Sequence, residues 1–169
     1  MRRIEEYDLD EPIDYAFGNF CPITLRGELY TGIVYRDLSD NELYRERTFR
    51  DGGCYGPQKE WELAGSNSGG ERTYLVASWF EYFGMMHGLQ RTWHSATQPA
   101  RIAWHEYGQL RRERCWDEDG KLIRNYKESK SEAKKHDKEI AKIPQWIRDR
   151  FPLNQLPEEY RLPDEAVWK

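Results

Sequence analysis

Four histidines, three cysteines and one glycine-rich segment are the parts of this chain with the chemistry of bases, nucleophiles or phosphate cradles. Metal binding on a helix or strand needs ligands that return to one face, and His87, His94, His105 and His136 show neither HExxH nor another ligand spacing. His87 occupies the place of Tyr55 in a matching segment, beside a turn glycine, and reads as a repeat position. His94 and His105 follow Trp93 and Trp104 and are expected at exposed strand ends. Cys21, Cys54 and Cys115 are odd in number and lack CxxC spacing, so they read as free thiols in a reducing compartment. A nucleophilic cysteine needs a base beside it, and no recognised cysteine-enzyme context surrounds them; small buried thiols are the expectation. Ser66 and Ser68 have no strand–turn–helix context for a nucleophile elbow. The segment Gly65–Gly70 would cradle phosphate only if it opened a helix with a Lys-Ser/Thr pair, which is missing, so it reads as a mobile insertion. Carboxylates are scattered and single out no acid/base pair. The expectation is a protein without catalysis, cofactor or metal.

The elements that carry these residues are set by internal repetition. In Trp104–Tyr126 one phrase occurs twice, 12 residues apart: Trp104 maps onto Trp116, Gly108 onto Gly120, Gln109 onto Lys121 and Leu110 onto Leu122. Asp119-Gly120 is hairpin chemistry, because glycine supplies the positive φ of a tight primed turn. Upstream, Gly52, Gly56 and Trp61 recur as Gly84, Gly88 and Trp93 at an offset of 32. Leu43 and Phe49, like Leu110 and Trp116, are six apart and share a strand face. Thr31–Tyr35 is a more divergent opening. The middle of the chain therefore reads as about four degenerate hairpin units.

Residues 1–26 form an acidic lead-in whose Glu5, Glu6, Asp8, Asp10, Glu11 and Asp14 flank Ile4, Leu9 and Ile13. It is expected to add extended segments to the sheet edge, its acids either a solvated guard against aggregation or a surface for a basic partner. Next come strands at Ile33–Arg36, Glu42–Arg50 and Gly56–Glu62, a polar turn at Asp37–Asn41 and a loop at Ser95–Pro99. Tyr74–Phe83 has large apolar residues on both alternating faces, either as doubly covered core or with one face for a partner. After Tyr126, helix formers take over, with a capping box at Ser129-x-x-Glu132 and Ala133, His136, Ile140 and Ile143 along one stripe. Pro144 ends that helix. Trp146, Ile147 and Phe151 are expected anchors of a short second turn of helix, and a proline-punctuated tail to Trp168 should wrap over the sheet.

Mean hydropathy is -0.99 with 33% charged residues, which alone suggests disorder, but seven Trp and eleven Tyr argue for a thin sheet covered by rings. A net charge of -4 without a basic stripe argues against nucleic acid. No apolar run approaches the ~18 residues of a membrane helix, and Met1–Pro12 lacks the apolar core of a secretory signal. A soluble, cytoplasmic protein is expected. The fold class is mainly β: an elongated, twisted antiparallel sheet of tandem hairpins with a C-terminal helix and irregular tail, one domain overall, divided at 1–26, 27–126 and 127–169.

The units YGPQKEW, HGLQRTW, WHEYGQLRRERCW and DEDGKLIRNY resemble the variant MORN repeat, and more specifically bacterial YwqK-type antitoxin or immunity proteins. Gly27-Glu28-Leu29-Tyr30-Thr31-Gly32 is similar to that family's entry segment. The resemblance spans about residues 27–126, and the chain departs from it at 65–70, at Ser95–Pro99 and in its tail. It implies a cytoplasmic protein that holds a cognate toxin, encoded by a neighbouring gene, and blocks it sterically. Apolarity and position near turns single out Trp79, Tyr82, Phe83, Met85, Met86 and Tyr107 as partner contacts, with Asp117, Glu118 and Asp119 as a polar rim. Two other classes remain: a MORN-like scaffold joining proteins or touching lipid, and an enzyme or ligand-binding sheet whose pocket the tail closes.

Overall fold

The computed structural model describes residues 1–10, 22–38, 43–63, 72–150, 152–162 and 168, and the glycine-rich segment 65–70 and Phe151 lie outside them. The chain is mainly β, built from successive antiparallel hairpins with a short C-terminal helical segment. Its contacts divide it into two compact units, Met1–Met85 and Met86–Lys169.

In the first unit, Arg3–Glu5 (β1) pairs in parallel with Gly32–Leu38 (β4), which continues antiparallel into Leu43–Arg50 (β5), Gly53–Leu63 (β6) and Arg72–Tyr82 (β7). Thr24–Leu25 (β2) and Glu28–Leu29 (β3) make a separate small hairpin. Strand β4 runs two residues past the expected Arg36, because the ladder with β5 continues through Asp37 and Leu38. The lead-in supplies much of the core: Ile4, Leu9, Ile23, Tyr30, Val34 and Phe49 form one buried cluster. Two of its acids hold the fold, one buried and one at the surface. Glu6 is buried and ion-paired with Arg36 at 3.3 Å, and Asp10 accepts the backbone N–H groups of Arg26 and Gly27 at 2.8 and 2.7 Å. The Gly27 bond, then one from the Thr24 side chain and that from Arg26, hold the Asp10 carboxyl below its usual range. Tyr35, Tyr44 and Trp61 form an aromatic row across β4, β5 and β6, with the Arg3 guanidinium 4.9 Å above the Tyr35 ring. In β7 burial runs unbroken from Ala77 to Phe80, so both faces of that strand are covered there.

The turns explain the glycine pattern. Arg26-Gly27, Asp51-Gly52, Phe83-Gly84 and Tyr107-Gly108 each place two consecutive residues at positive φ, the signature of a two-residue primed hairpin turn. The recurring second glycine has its own role. Gly56 and Gly88 lie at φ 106° and 93°, just beyond their turns. At Gly56 the β5–β6 register breaks, the Thr48 hydroxyl donates to the Pro57 carbonyl at 2.8 Å, and the fully buried Gln58 amide donates to the carbonyls of Gly56 and Thr48.

Met85–Met86 (β8) spans the boundary between the units, and in the second unit Gly88–Trp93 (β9) pairs with Pro99–Glu106 (β10), β10 with Gln109–Trp116 (β11) and β11 with Leu122–Lys127 (β12). Pro99 opens β10 and is not part of the preceding loop. At Asp117–Lys121 the expected primed turn gives way to a longer one. The Gly120 N–H donates to the Asp117 carbonyl and the Asp117 N–H to that of Lys121, both at 3.0 Å, and of Asp119 and Gly120 only glycine has positive φ. The two copies of the Trp-x-x-x-Gly phrase thus keep the glycine and change the turn.

Helix α1, Lys130–Ala141, starts on the expected capping box: Ser129 Oγ accepts the Glu132 N–H and Glu132 accepts the Ser129 N–H. Ile140 is buried, and Ala133, His136 and Ile143 are half-buried on the same stripe. Gln145–Arg150 (α2) follows Pro144, but Trp146 is 60% exposed and anchors nothing in the free protein, since it lies on the outward side of this single short turn of helix. The tail does return to the sheet. Leu156 and Tyr160 are buried beside Gly88, the Glu159 carbonyl accepts from Arg91 at 2.6 Å, and the Arg112 guanidinium covers the buried Trp168 ring at 4.5 Å.

Candidate functional site

The nine residues chosen from sequence fall into two groups by exposure. Trp79 is buried and donates its indole N–H to Glu81 at 2.9 Å. Tyr82 has no accessible surface, its ring lying 5.7 Å from Tyr55 and 4.9 Å from Phe83. Tyr107 is buried too: its hydroxyl donates to the Arg148 carbonyl at 3.2 Å, its N–H donates to His87 Nδ1 at 3.1 Å, and the two rings are 4.3 Å apart. These three hold the fold, and in this conformation a partner has little or nothing of them to touch. Phe83 is 36% exposed, Met85 and Met86 are half-buried, and Glu118 and Asp119 are exposed. Asp117 holds its own turn by accepting the Lys121 N–H at 2.8 Å.

Phe83 combines positive φ with exposure. A bulky side chain at positive φ costs about 1–2 kcal/mol, as at each of the four turn-opening residues. Arg26 is fixed through Asp10, Asp51 is of a type that tolerates this conformation and donates its N–H to Thr31 Oγ1, and Tyr107 is anchored to Arg148. Phe83, at φ 49°, gains an edge-on contact with Tyr82 while leaving a third of its surface in solvent. Strain combined with exposure at a hairpin tip is the pattern of a displayed side chain.

The titratable groups are arranged for structure. Burial and the nearby Glu81 push the Cys54 thiol up to about 12, so it stays protonated at neutral pH and is a poor nucleophile. Burial also raises the Cys115 thiol, with Glu113 adding to it. His105, expected at an exposed strand end, is instead buried in β10, where desolvation and Arg101 lower its pKa to about 4. It shares a sheet face with Gln90, Arg101, Ala103, Glu113 and Arg124. Buried Glu113 is clamped by Arg101 at 2.6 Å and Arg124 at 2.5 Å, and Arg101 also donates to Gln90 at 2.6 Å. A second hub forms where the β10–β11 register breaks. Arg111 meets Glu106, Glu128 and Asp137 at 2.9, 2.8 and 2.6 Å, and His136 Nδ1 lies 3.1 Å from Glu128. No group of three His, Cys, Asp or Glu side chains suited to a metal ion occurs among the described residues.

Sequence reasoning passed over Arg111 and Glu113, since RRER inside a strand reads as a solvated face; the only clue was four consecutive charges where an alternating strand buries every second one. It also passed over the outer edge of the second unit. There β12 ends the strand order among the described residues, with Leu122 41% and Ile123 64% exposed. No helix among those residues is long and apolar enough to cross a membrane. No family model, curated protein or solved structure matches this chain.

Proposed function

We propose that this chain is a non-catalytic binding protein of the antitoxin or immunity type, related to variant MORN-repeat proteins. It acts in the bacterial cytoplasm by seating on a cognate toxin and blocking its active site or substrate access. The observation that supports this most is Phe83, a strained aromatic displayed at the tip of a rigid hairpin. Aromatic anchors entering a partner pocket carry a large share of interface energy. Half-buried Met85 follows Phe83 along the chain, and Tyr82 packs edge-on against the Phe83 ring. The tandem hairpins support the reading as a scaffold, and the protonated Cys54 thiol and buried neutral His105 supply no activated nucleophile.

The test is co-purification of this chain with the product of the adjacent gene, comparing the wild type with Phe83→Asp. Loss of the complex by a variant that keeps its unfolding temperature supports the reading. An undiminished complex removes Phe83 from the interface. A neighbour that binds but is harmless when expressed alone favours a MORN-like scaffold.

A further inference from the structure

We infer that β12 is a pairing edge for an extended acidic segment of a partner protein, a surface that deepens the binding reading and rests on it. Strand β12 is hydrogen-bonded to β11 on one side and, among the described residues, to no strand on the other. An open edge presents unpaired N–H and C=O groups, and proteins usually blunt it with charge or cover. Here the edge is six residues long and exposes Leu122 and Ile123. Apolar side chains on an open ladder are what strand addition uses: the backbone supplies affinity and alternate side chains supply selection.

Charge decides the occupant. Residues 121–127 contain Lys121, Arg124 and Lys127 and no acid, within a chain whose net charge is -4. A second copy paired here would put six cations along one seam. Within each copy only Arg124 is matched, by Glu113 at 2.5 Å, and Arg124 stays 59% exposed. An incoming segment alternating acidic and β-branched residues removes the conflict. The ladder puts Arg124 and Tyr126 on one face, paired with Cys115 and Glu113, and Lys127 on the other, paired with Arg112, while Ile123 falls at the register break between Leu122 and Arg124. Carboxylates would then meet Arg124 while a branched apolar residue covers Ile123.

The probe is a capped eight-residue peptide alternating Glu and Val, with a Lys–Val peptide as control, each added at millimolar concentration to the intact protein. Amide hydrogen exchange is followed across residues 122–127. The expected result is slowed exchange there with the Glu–Val peptide alone, weakened by salt and by Ile123→Ser by about tenfold in affinity. Ile123 is mostly in solvent, so that variant should fold, and the exchange pattern elsewhere verifies it. Unchanged exchange at 122–127, or equal protection by the Lys–Val peptide, overturns the proposal. So does protection already present in the free protein together with a dimer in sedimentation, which assigns the edge to a second copy. Phe83→Asp should bind the peptide like wild type. Loss of toxin binding with intact peptide binding therefore indicts the Phe83 reading, and the reverse indicts the edge.

Discussion

Replacing Gly88 by alanine should destabilise the second unit far more than the same change at Gly120, because only Gly88 lies beneath the tail. A Cβ at Gly88 would sit 2.6 Å from Leu156 Cδ1 and 2.6 Å from the Tyr160 carbonyl oxygen. The carbonyl is backbone and cannot rotate aside, so the tail must lift. Left-handed φ costs alanine about 1–2 kcal/mol at either position. Lifting the tail also gives up part of the burial of Leu156 and Tyr160, which are 2% and 0% exposed, adding about 1.5–3 kcal/mol. At Gly120, with φ 80°, the nearest atom is the Gln98 amide nitrogen at 3.3 Å, the end of a flexible side chain that can move. Urea unfolding should therefore place Gly88→Ala about 2 kcal/mol below Gly120→Ala, with faster amide exchange at residues 156–162 in the first variant only. Equal losses within about 0.5 kcal/mol, or unchanged exchange in the tail, would refute this docking of the tail.

Three further outcomes follow from the same geometry. His105 is neutral in the fold down to about pH 4 but takes its proton near 6.5 when unfolded. The unfolded chain then binds more protons between those values, so stability should fall as pH drops from 6.5 towards 4, and His105→Gln should flatten that slope in urea titrations at stepped pH. Ser129→Ala removes one half of the capping box and should cost about 1 kcal/mol, seen as faster exchange in the first turn of α1. Arg111→Met leaves Glu106, Glu128 and Asp137 without their shared cation, a loss of about 1–3 kcal/mol after discounting for their exposure.

Local rules were legible in the sequence where a residue does its work within its own segment. The Asp51-Gly52 turn, the Ser129–Glu132 capping box and the spacing of Gly52 with Gly56 and of Gly84 with Gly88 all follow from backbone needs that no distant contact overrides. Burial was less legible, because it depends on what crosses over a strand. His105 reads as a strand end by its neighbours, yet it is buried on a face shared with Gln90, Arg101 and Glu113. Trp79, Tyr82 and Tyr107 look like interface aromatics until the hydrogen bonds from Trp79 to Glu81 and from Tyr107 to Arg148 show what they support. The register breaks near Thr48 and Arg111 move side chains off the simple alternation that sequence reading relies on. For the proposed contact surface, sequence marked Phe83 by its apolarity and its place beside a turn glycine, while its strain and its exposure emerge only from the fold.

The central claim, that this chain neutralises a partner by holding it, is tested most directly by growth. The adjacent gene product is induced in cells alone, with the wild-type chain, and with Phe83→Asp. Toxicity alone, rescue by the wild type and failure of rescue by a folded Phe83→Asp are the predicted results. A neighbour that leaves growth untouched, or rescue that persists with Phe83→Asp and with no complex to be isolated, would contradict the account.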